Sequence, residues 1–161
     1  MVTTMEWVGT SEGDRMPTDA PGAGGRVLVV DDAEEIRALI RINLELEGYE
    51  VVEASDGQDA MEILRDTAQR LPDVITLDAL MPRRDGWWAV SMIRADPRLE
   101  GIPIIMVTAS VQPNDRAQAE RVAVDGFVAK PFEPDELLAL IGALAGRGRV
   151  SDGSEPSQRR P

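Results

Sequence analysis

Val27-Leu28-Val29-Val30-Asp31-Asp32 is an apolar, β-branched run that stops on two acids. The same pattern recurs downstream. Val74-Ile75-Thr76-Leu77 runs into Asp78, Ile104-Ile105-Met106-Val107 ends on Thr108, and Phe127-Val128-Ala129 ends on Lys130. Short apolar runs of this kind read as buried strands, here over residues 27–32, 73–78, 103–108 and 126–130, with a further strand over 49–54. Helical stripes separate them. Ile36, Leu39, Ile40 and Leu44 form the first, closed by Gly48. Ala60, Leu64, Ala68 and Leu71 follow the capping-box pattern Ser55-Asp56-Gly57-Gln58, and Trp87, Trp88, Val90 and Ile93 follow Asp85-Gly86. A weak, alanine-rich helix is expected from about Asn114 to Val124, and Leu137, Leu140, Ile141 and Leu144 follow Pro134 at a first helical turn. Strand and helix thus alternate five times. That predicts an α/β fold: a five-stranded parallel sheet with five helices, doubly wound.

In such a sheet the C-terminal strand ends share one edge, and ligands bind there. Asp31, Asp32, Asp78, Thr108 and Lys130 are therefore expected in one pocket. Two carboxylates about 4 Å apart repel by about 4 kcal/mol at an effective dielectric near 20. Lys130, the only lysine in the chain, offsets one charge of three. A hard divalent cation, Mg2+ by preference, is the natural remainder, since it takes oxygen ligands and keeps positions open for water and phosphate. A cation, an ammonium and a hydroxyl around a carboxylate nucleophile suit a phosphoryl group.

Composition narrows the classes. The chain has 161 residues, room for one domain with a real core. Residues 1–25 and 147–161 are rich in small and polar residues and read as a flexible leader and a flexible tail, with Trp7 an incidental or loosely docked exception. A net charge of −12 argues against nucleic acid or anionic membrane as a direct partner. The absence of cysteine and histidine removes disulfides, thiol chemistry, Ser-His-Asp triads and His-ligated zinc. It also means this chain is no phosphohistidine carrier. No run approaches membrane-spanning length and no signal peptide opens the chain, so a cytoplasmic location is expected. Other motifs fail on placement. Gly22-Ala23-Gly24-Gly25 precedes a strand where a dinucleotide loop would follow one, and a lone lysine after the last strand makes no P-loop.

Asp31-Asp32, Asp78-Ala79-Leu80-Met81-Pro82-Arg83-Arg84-Asp85-Gly86, Thr108-Ala109 and Lys130-Pro131-Phe132, in this order and each at a strand end, resemble the receiver domain of two-component response regulators. The resemblance covers residues 26–146 and implies a flavodoxin-like strand order 2-1-3-4-5. It implies that Asp78 is the phospho-acceptor, taking its phosphoryl group from a sensor histidine kinase or histidine phosphotransfer protein. Asp32, Asp78 and the backbone carbonyl of Leu80 would ligate Mg2+ directly, and Asp31 through a water. Lys130 and Thr108 would hold phosphoryl oxygens, Thr108 and Phe127 would form the switch, and the Lys130–Pro131 bond would be cis. Phe127 replaces the tyrosine common in the family, and Leu80 and Ser110 fall where the family tunes phosphoryl lifetime. The expected protein is a single-domain signalling module without an output domain of its own, enzymic only in its self-phosphorylation and slow autodephosphorylation. Its output would pass to an unknown downstream protein, and the sequence leaves phosphorylation-dependent dimerisation open.

Plainer readings stand beside these. Asp31 and Asp32 suit helix capping, and Thr108 suits a β-branched strand end. Asp78 resists this treatment, because no helix starts there and a purposeless buried charge is costly. Lys130 in a chain that otherwise uses arginine suits a compact phosphoryl pocket. Trp87 and Trp88 cannot both face the core, so one is expected exposed as a partner contact. Two functional rivals remain: a phosphorylation-independent adaptor with the receiver fold, and a small hydrolase with Asp78 as nucleophile. A phosphatase of that kind would want an aspartate where Leu80 stands.

Overall fold

The computed structural model describes residues 24–109, 117 and 124–153. Five strands, β1 (Arg26–Val30), β2 (Glu50–Ala54), β3 (Val74–Leu77), β4 (Ile104–Thr108) and β5 (Gly126–Ala129), form one sheet. Its order is β2-β1-β3-β4-β5, and every pairing is parallel. Four helices are described: α1 (Glu34–Leu46), α2 (Gly57–Arg65), α3 (Gly86–Ala95) and α4 (Pro134–Gly153). Of the helix expected from about Asn114 to Val124, only Ala117, which is helical, and Val124, which is not, are described; the rest lies outside the described residues.

Alternation along each strand sorts the core into two layers. Leu28, Val30, Ile75, Leu77, Ile104 and Met106 pack with Ala60, Leu64, Val90 and Ile93 of α2 and α3. Val27, Val29, Val74, Ile105, Val107 and Val128 pack with Ile40 and Leu44 of α1 and Leu137, Ile141 and Leu144 of α4. All residues of β1, β3 and β4 are buried, as expected for central strands covered on both faces. Thr76 belongs by alternation to the second layer. Its Oγ1 is buried without a hydrogen-bond partner.

Local signals set the helix ends, with two departures from expectation. Asp56, not Ser55, caps α2, accepting the Asp59 N–H at 2.8 Å, while Asp59 reaches back to the Ser55 N–H at 3.1 Å. The capping pattern is thus displaced by one residue onto the stronger acceptor. The same helix stops at Arg65 rather than carrying Ala68 and Leu71, because Asp66 turns extended and its side chain accepts the Ala68 N–H at 3.0 Å. Leu71 still packs against the first layer from the following loop. On α1, Leu39 is 40 % exposed instead of facing inward. Helix α4 runs on to Gly153, beyond the start of the tail expected at residue 147. No helix among the described residues is long and apolar enough to cross a membrane.

Candidate acidic phosphoryl pocket

Register brings the chemistry to one edge. Val30 lies opposite Leu77, Leu77 opposite Met106, and Thr108 opposite Ala129. The residues that follow β1 and β3 stay tied to their neighbours: the Asp31 N–H donates to the Ala54 carbonyl at 3.2 Å, and the Asp78 N–H to the Val30 carbonyl at 3.0 Å. At the end of β5 the Lys130 N–H donates to the Thr108 carbonyl at 2.9 Å. The Lys130–Pro131 bond is cis. Asp31, Asp78 and Thr108 are buried, Asp32 is exposed, and Lys130 is half-buried.

Ligand oxygens of Asp31, Asp32 and Asp78 lie within 4.8 Å of one another. At that separation, Asp31 and Asp78 repel by about 3.5 kcal/mol at an effective dielectric near 20. Lys130 answers both, its Nζ standing 2.8 Å from Asp31 Oδ2 and 3.1 Å from Asp78 Oδ2. The other oxygens point to backbone donors: Asp31 Oδ1 accepts the Ala33 N–H at 2.9 Å, and Asp78 Oδ1 accepts the Leu80 N–H at 3.3 Å. Helix α1 itself has Ala33 at its N-cap and no side-chain cap, so neither acid is spent on capping it.

Burial pushes the Asp78 carboxyl above its ordinary value, and the Asp31 charge adds to that; Lys130 and the Leu80 N–H pull the other way without prevailing. For Lys130, burial favours the neutral amine, but the hydrogen bond and charge of Asp31, with those of Asp78, outweigh it and raise the ammonium's pKa. An ion pair alone would lower Asp78, so the upward shifts of both partners look contradictory. Burial resolves this: it pushes Asp78 up, and Asp31 repels its charge, by more than Lys130 pulls it down, while the ammonium draws on two acids at once.

Three features were missed from sequence. Arg37 on α1 donates from one Nη to the Asp31 carbonyl at 2.8 Å and from Nε to Glu53 at 3.1 Å, bracing the acidic turn. Arg83, in the loop after Asp78, pairs with buried Asp56, and this hydrogen bond holds the Asp56 carboxyl below its ordinary value. The tryptophans also depart from expectation. Trp87 and Trp88 are both half-buried against the first core layer, flanking the inward Ala89–Val90 pair, and Arg84 lies 5.0 Å over the Trp88 ring. Gly86 meets a demand the sequence only hinted at, since a Cβ there would strike the Asp78 carbonyl. Phe127 packs half-buried against the first layer, opposite Met106, and Leu80 is 62 % exposed.

The family model for the response regulator receiver domain matches residues 27–142. This chain belongs to the response regulator receiver domain family. Among curated relatives, a probable transcriptional regulator ycf27 of Guillardia theta is 41 % identical over 76 % of this chain and 46 % of its own length. The phosphate regulon transcriptional regulatory protein PhoB of Pseudomonas aeruginosa is 36 % identical over 83 % of this chain and 57 % of its own. The chain spans about half the length of these relatives. Among solved structures, the Vibrio cholerae chemotaxis protein CheY4 aligns with a TM-score of 0.70 at 33 % identity, covering 76 % of this chain and 99 % of that one. The phosphorylated cyanobacterial phytochrome response regulator RcpA aligns at 0.67 and 27 % identity, covering 84 % and 100 %.

Receiver domains are signalling modules of two-component systems that bind Mg2+ at an acidic pocket and receive phosphoryl groups from histidine kinases or phosphotransfer proteins. The oxygen-only donor set of Asp31, Asp32 and Asp78 suits such a hard cation.

Proposed function

We propose that Asp78 is the phospho-acceptor of this receiver domain. The observation that carries this reading is the Lys130 ammonium bridging Asp31 and Asp78 inside the three-acid cluster. A carboxylate oxygen of Asp78 attacks the phosphorus of a phosphohistidine on a kinase or phosphotransfer partner. The new O–P bond makes an acyl phosphate while the N–P bond breaks, and the imidazole leaves with its electron pair and takes a proton from solvent. Asp32, Asp78 and the Leu80 carbonyl would hold Mg2+, with Asp31 reaching it through a water, and the bound ion would supply positive charge to offset that on the transferring group. Lys130 trades its contact with Asp78 for a phosphoryl oxygen, and the Thr108 hydroxyl donates to another. Slow hydrolysis of the acyl phosphate resets the site.

Phosphorylation adds nearly two negative charges to the pocket. Thr108 is drawn toward them, and Phe127 follows inward, changing the surface offered to a downstream protein. Output passes through that contact, and Phe127→Ala uncouples partner binding from phosphorylation.

The test is incubation with acetyl phosphate and Mg2+ followed by intact mass. A gain of one phosphoryl group, lost in Asp78→Asn and abolished by chelator, is expected. No gain at any donor concentration would overturn the reading in favour of an adaptor that works without phosphorylation.

A further inference from the structure

Asp56 carries a buried carboxylate, 4 % exposed, at the start of α2. One oxygen caps the helix through the Asp59 N–H, and the other accepts from Arg83 Nε. Arg83 comes from the loop joining β3 to α3, three residues past Leu80. Its φ of 67° is the only positive value of a non-glycine among the described residues. Glycine and asparagine take that conformation readily, whereas arginine does so at a cost. Backbone strain kept in place by a buried partner points to a constraint worth keeping.

The same loop is fastened elsewhere. The Gly57 N–H donates to the Arg84 carbonyl at 2.7 Å, and a Cβ at Gly57 would strike that carbonyl, so only glycine permits the approach. The Gly86 N–H donates to the Ala79 carbonyl at 2.9 Å and closes the loop at its far end. Leu80 lies between these ties, with its N–H on Asp78. Helix α2 contributes nothing to the acidic cluster itself, yet it holds the segment that completes it.

We propose that the Asp56–Arg83 pair is a latch that positions the β3–α3 loop for cation binding, fixing the Leu80 carbonyl beside Asp31, Asp32 and Asp78 and so setting the affinity of the pocket for Mg2+. The latch rests on the metal reading given above. Arg83 is a positioning residue: its partner is Asp56, which lies outside the three-acid cluster.

Calorimetric titration of the full chain with Mg2+ tests it, using Arg83→Asn and Asp56→Asn. Asparagine at 83 accepts the positive φ but cannot reach Asp56, and asparagine at 56 still caps α2. The two changes have opposite effects on the electrostatic field. Losing a cation near the pocket would by itself tighten Mg2+ binding, and losing an anion would loosen it. The latch requires both to weaken binding, on the order of tenfold each, with the double variant no weaker than the singles. Urea unfolding run in parallel establishes that each variant is folded. If Arg83→Asn does not fold, Arg83→Gly also accepts the positive φ and carries no donor for Asp56, and weaker Mg2+ binding is again expected. Wild-type or tighter affinity in a folded Arg83 variant would overturn the latch and leave the metal site standing. A wild-type chain that binds no Mg2+ would instead overturn the metal reading, and the latch with it.

Discussion

Lys130 donates its backbone N–H to the carbonyl of Thr108, 2.9 Å away, so the ammonium-bearing residue just past β5 is tied directly to the hydroxyl-bearing residue that ends β4. Thr108 cannot shift toward Asp78 without bearing on the segment that carries Lys130. Thr108→Ser, which keeps the hydroxyl, is expected to accept phosphoryl groups from acetyl phosphate at near the wild-type rate. Thr108→Ala should be slower by about tenfold or more, the effect of losing one hydrogen bond to a charged group. Rates come from intact-mass time courses, and equal rates in the two variants would remove the hydroxyl from the chemistry.

Lys130→Met leaves two buried acids without their shared counter-ion. Breaking such an arrangement from one side is expected to cost about 3 kcal/mol of folding stability at neutral pH without Mg2+. Added Mg2+ should restore more stability to the variant than it adds to wild type, because the dication takes over the neutralising role. Urea melts with and without Mg2+ measure both effects. A variant as stable as wild type in chelator would mean that Lys130 does not compensate the cluster.

Asp78 gives the pH dependence its sign. Its folded-state pKa lies above the ordinary 3.8, chiefly through burial, so the folded chain holds this proton more firmly than the unfolded chain. Stability therefore falls as pH rises from below 3.8 through the raised value, and above it the full cost of ionisation is felt. Asp78→Asn is expected to be more stable than wild type at neutral pH in chelator, with the difference vanishing as pH drops below 3.8. Lys130 acts at the other end: its raised pKa gives stability that is complete below 10.5 and lost as pH rises through the folded value. Paired melts of wild type and Asp78→Asn across pH isolate the carboxyl. A difference that does not shrink in acid would contradict the assignment.

Thr76 offers a stability gain far from the chemistry. Its hydroxyl is buried and unpartnered in the layer beneath α1 and α4, flanked in register by Val29 and Ile105. A buried polar group without a partner costs about 1–3 kcal/mol. Thr76→Val should raise stability by about 1 kcal/mol and leave Mg2+ affinity unchanged. A lower urea midpoint would show that the hydroxyl is satisfied in solution.

The pocket was legible because its signal is one-dimensional: an apolar run, then a polar residue, repeated along the chain. Parallel pairing converts that repetition into proximity, which is why the sequence places Asp31, Asp78, Thr108 and Lys130 at one edge, where Lys130 meets Asp31 and Asp78. The Asp56–Arg83 pair carries no such signal. Its partners lie 27 residues apart, and their meeting depends on a loop conformation that arginine seldom adopts. The end of α2 was misread for a local reason, since Asp66 competes with the helix for backbone donors while the apolar spacing continues past it. The tryptophans were misjudged because an indole is wide enough to reach the core from the shoulder of a helix. Leu39 looked like part of an inward stripe, but the neighbouring Ile40 and Leu44 take the buried face of α1.

One practical consequence follows from the solitary lysine. Reagents that acylate amines, whether dyes, surface-coupling esters or enzymatic acetyl donors, find a single side-chain target here, and it is the counter-ion of the acidic cluster. With 18 % of that side chain open to solvent, prolonged labelling would neutralise it and silence the pocket, the terminal α-amine being the other amine that reacts. The chain has no cysteine, so an introduced thiol would be a unique handle. Probes and tethers belong on such a thiol, and loss of function after amine coupling would report on Lys130 once peptide mapping places the label there.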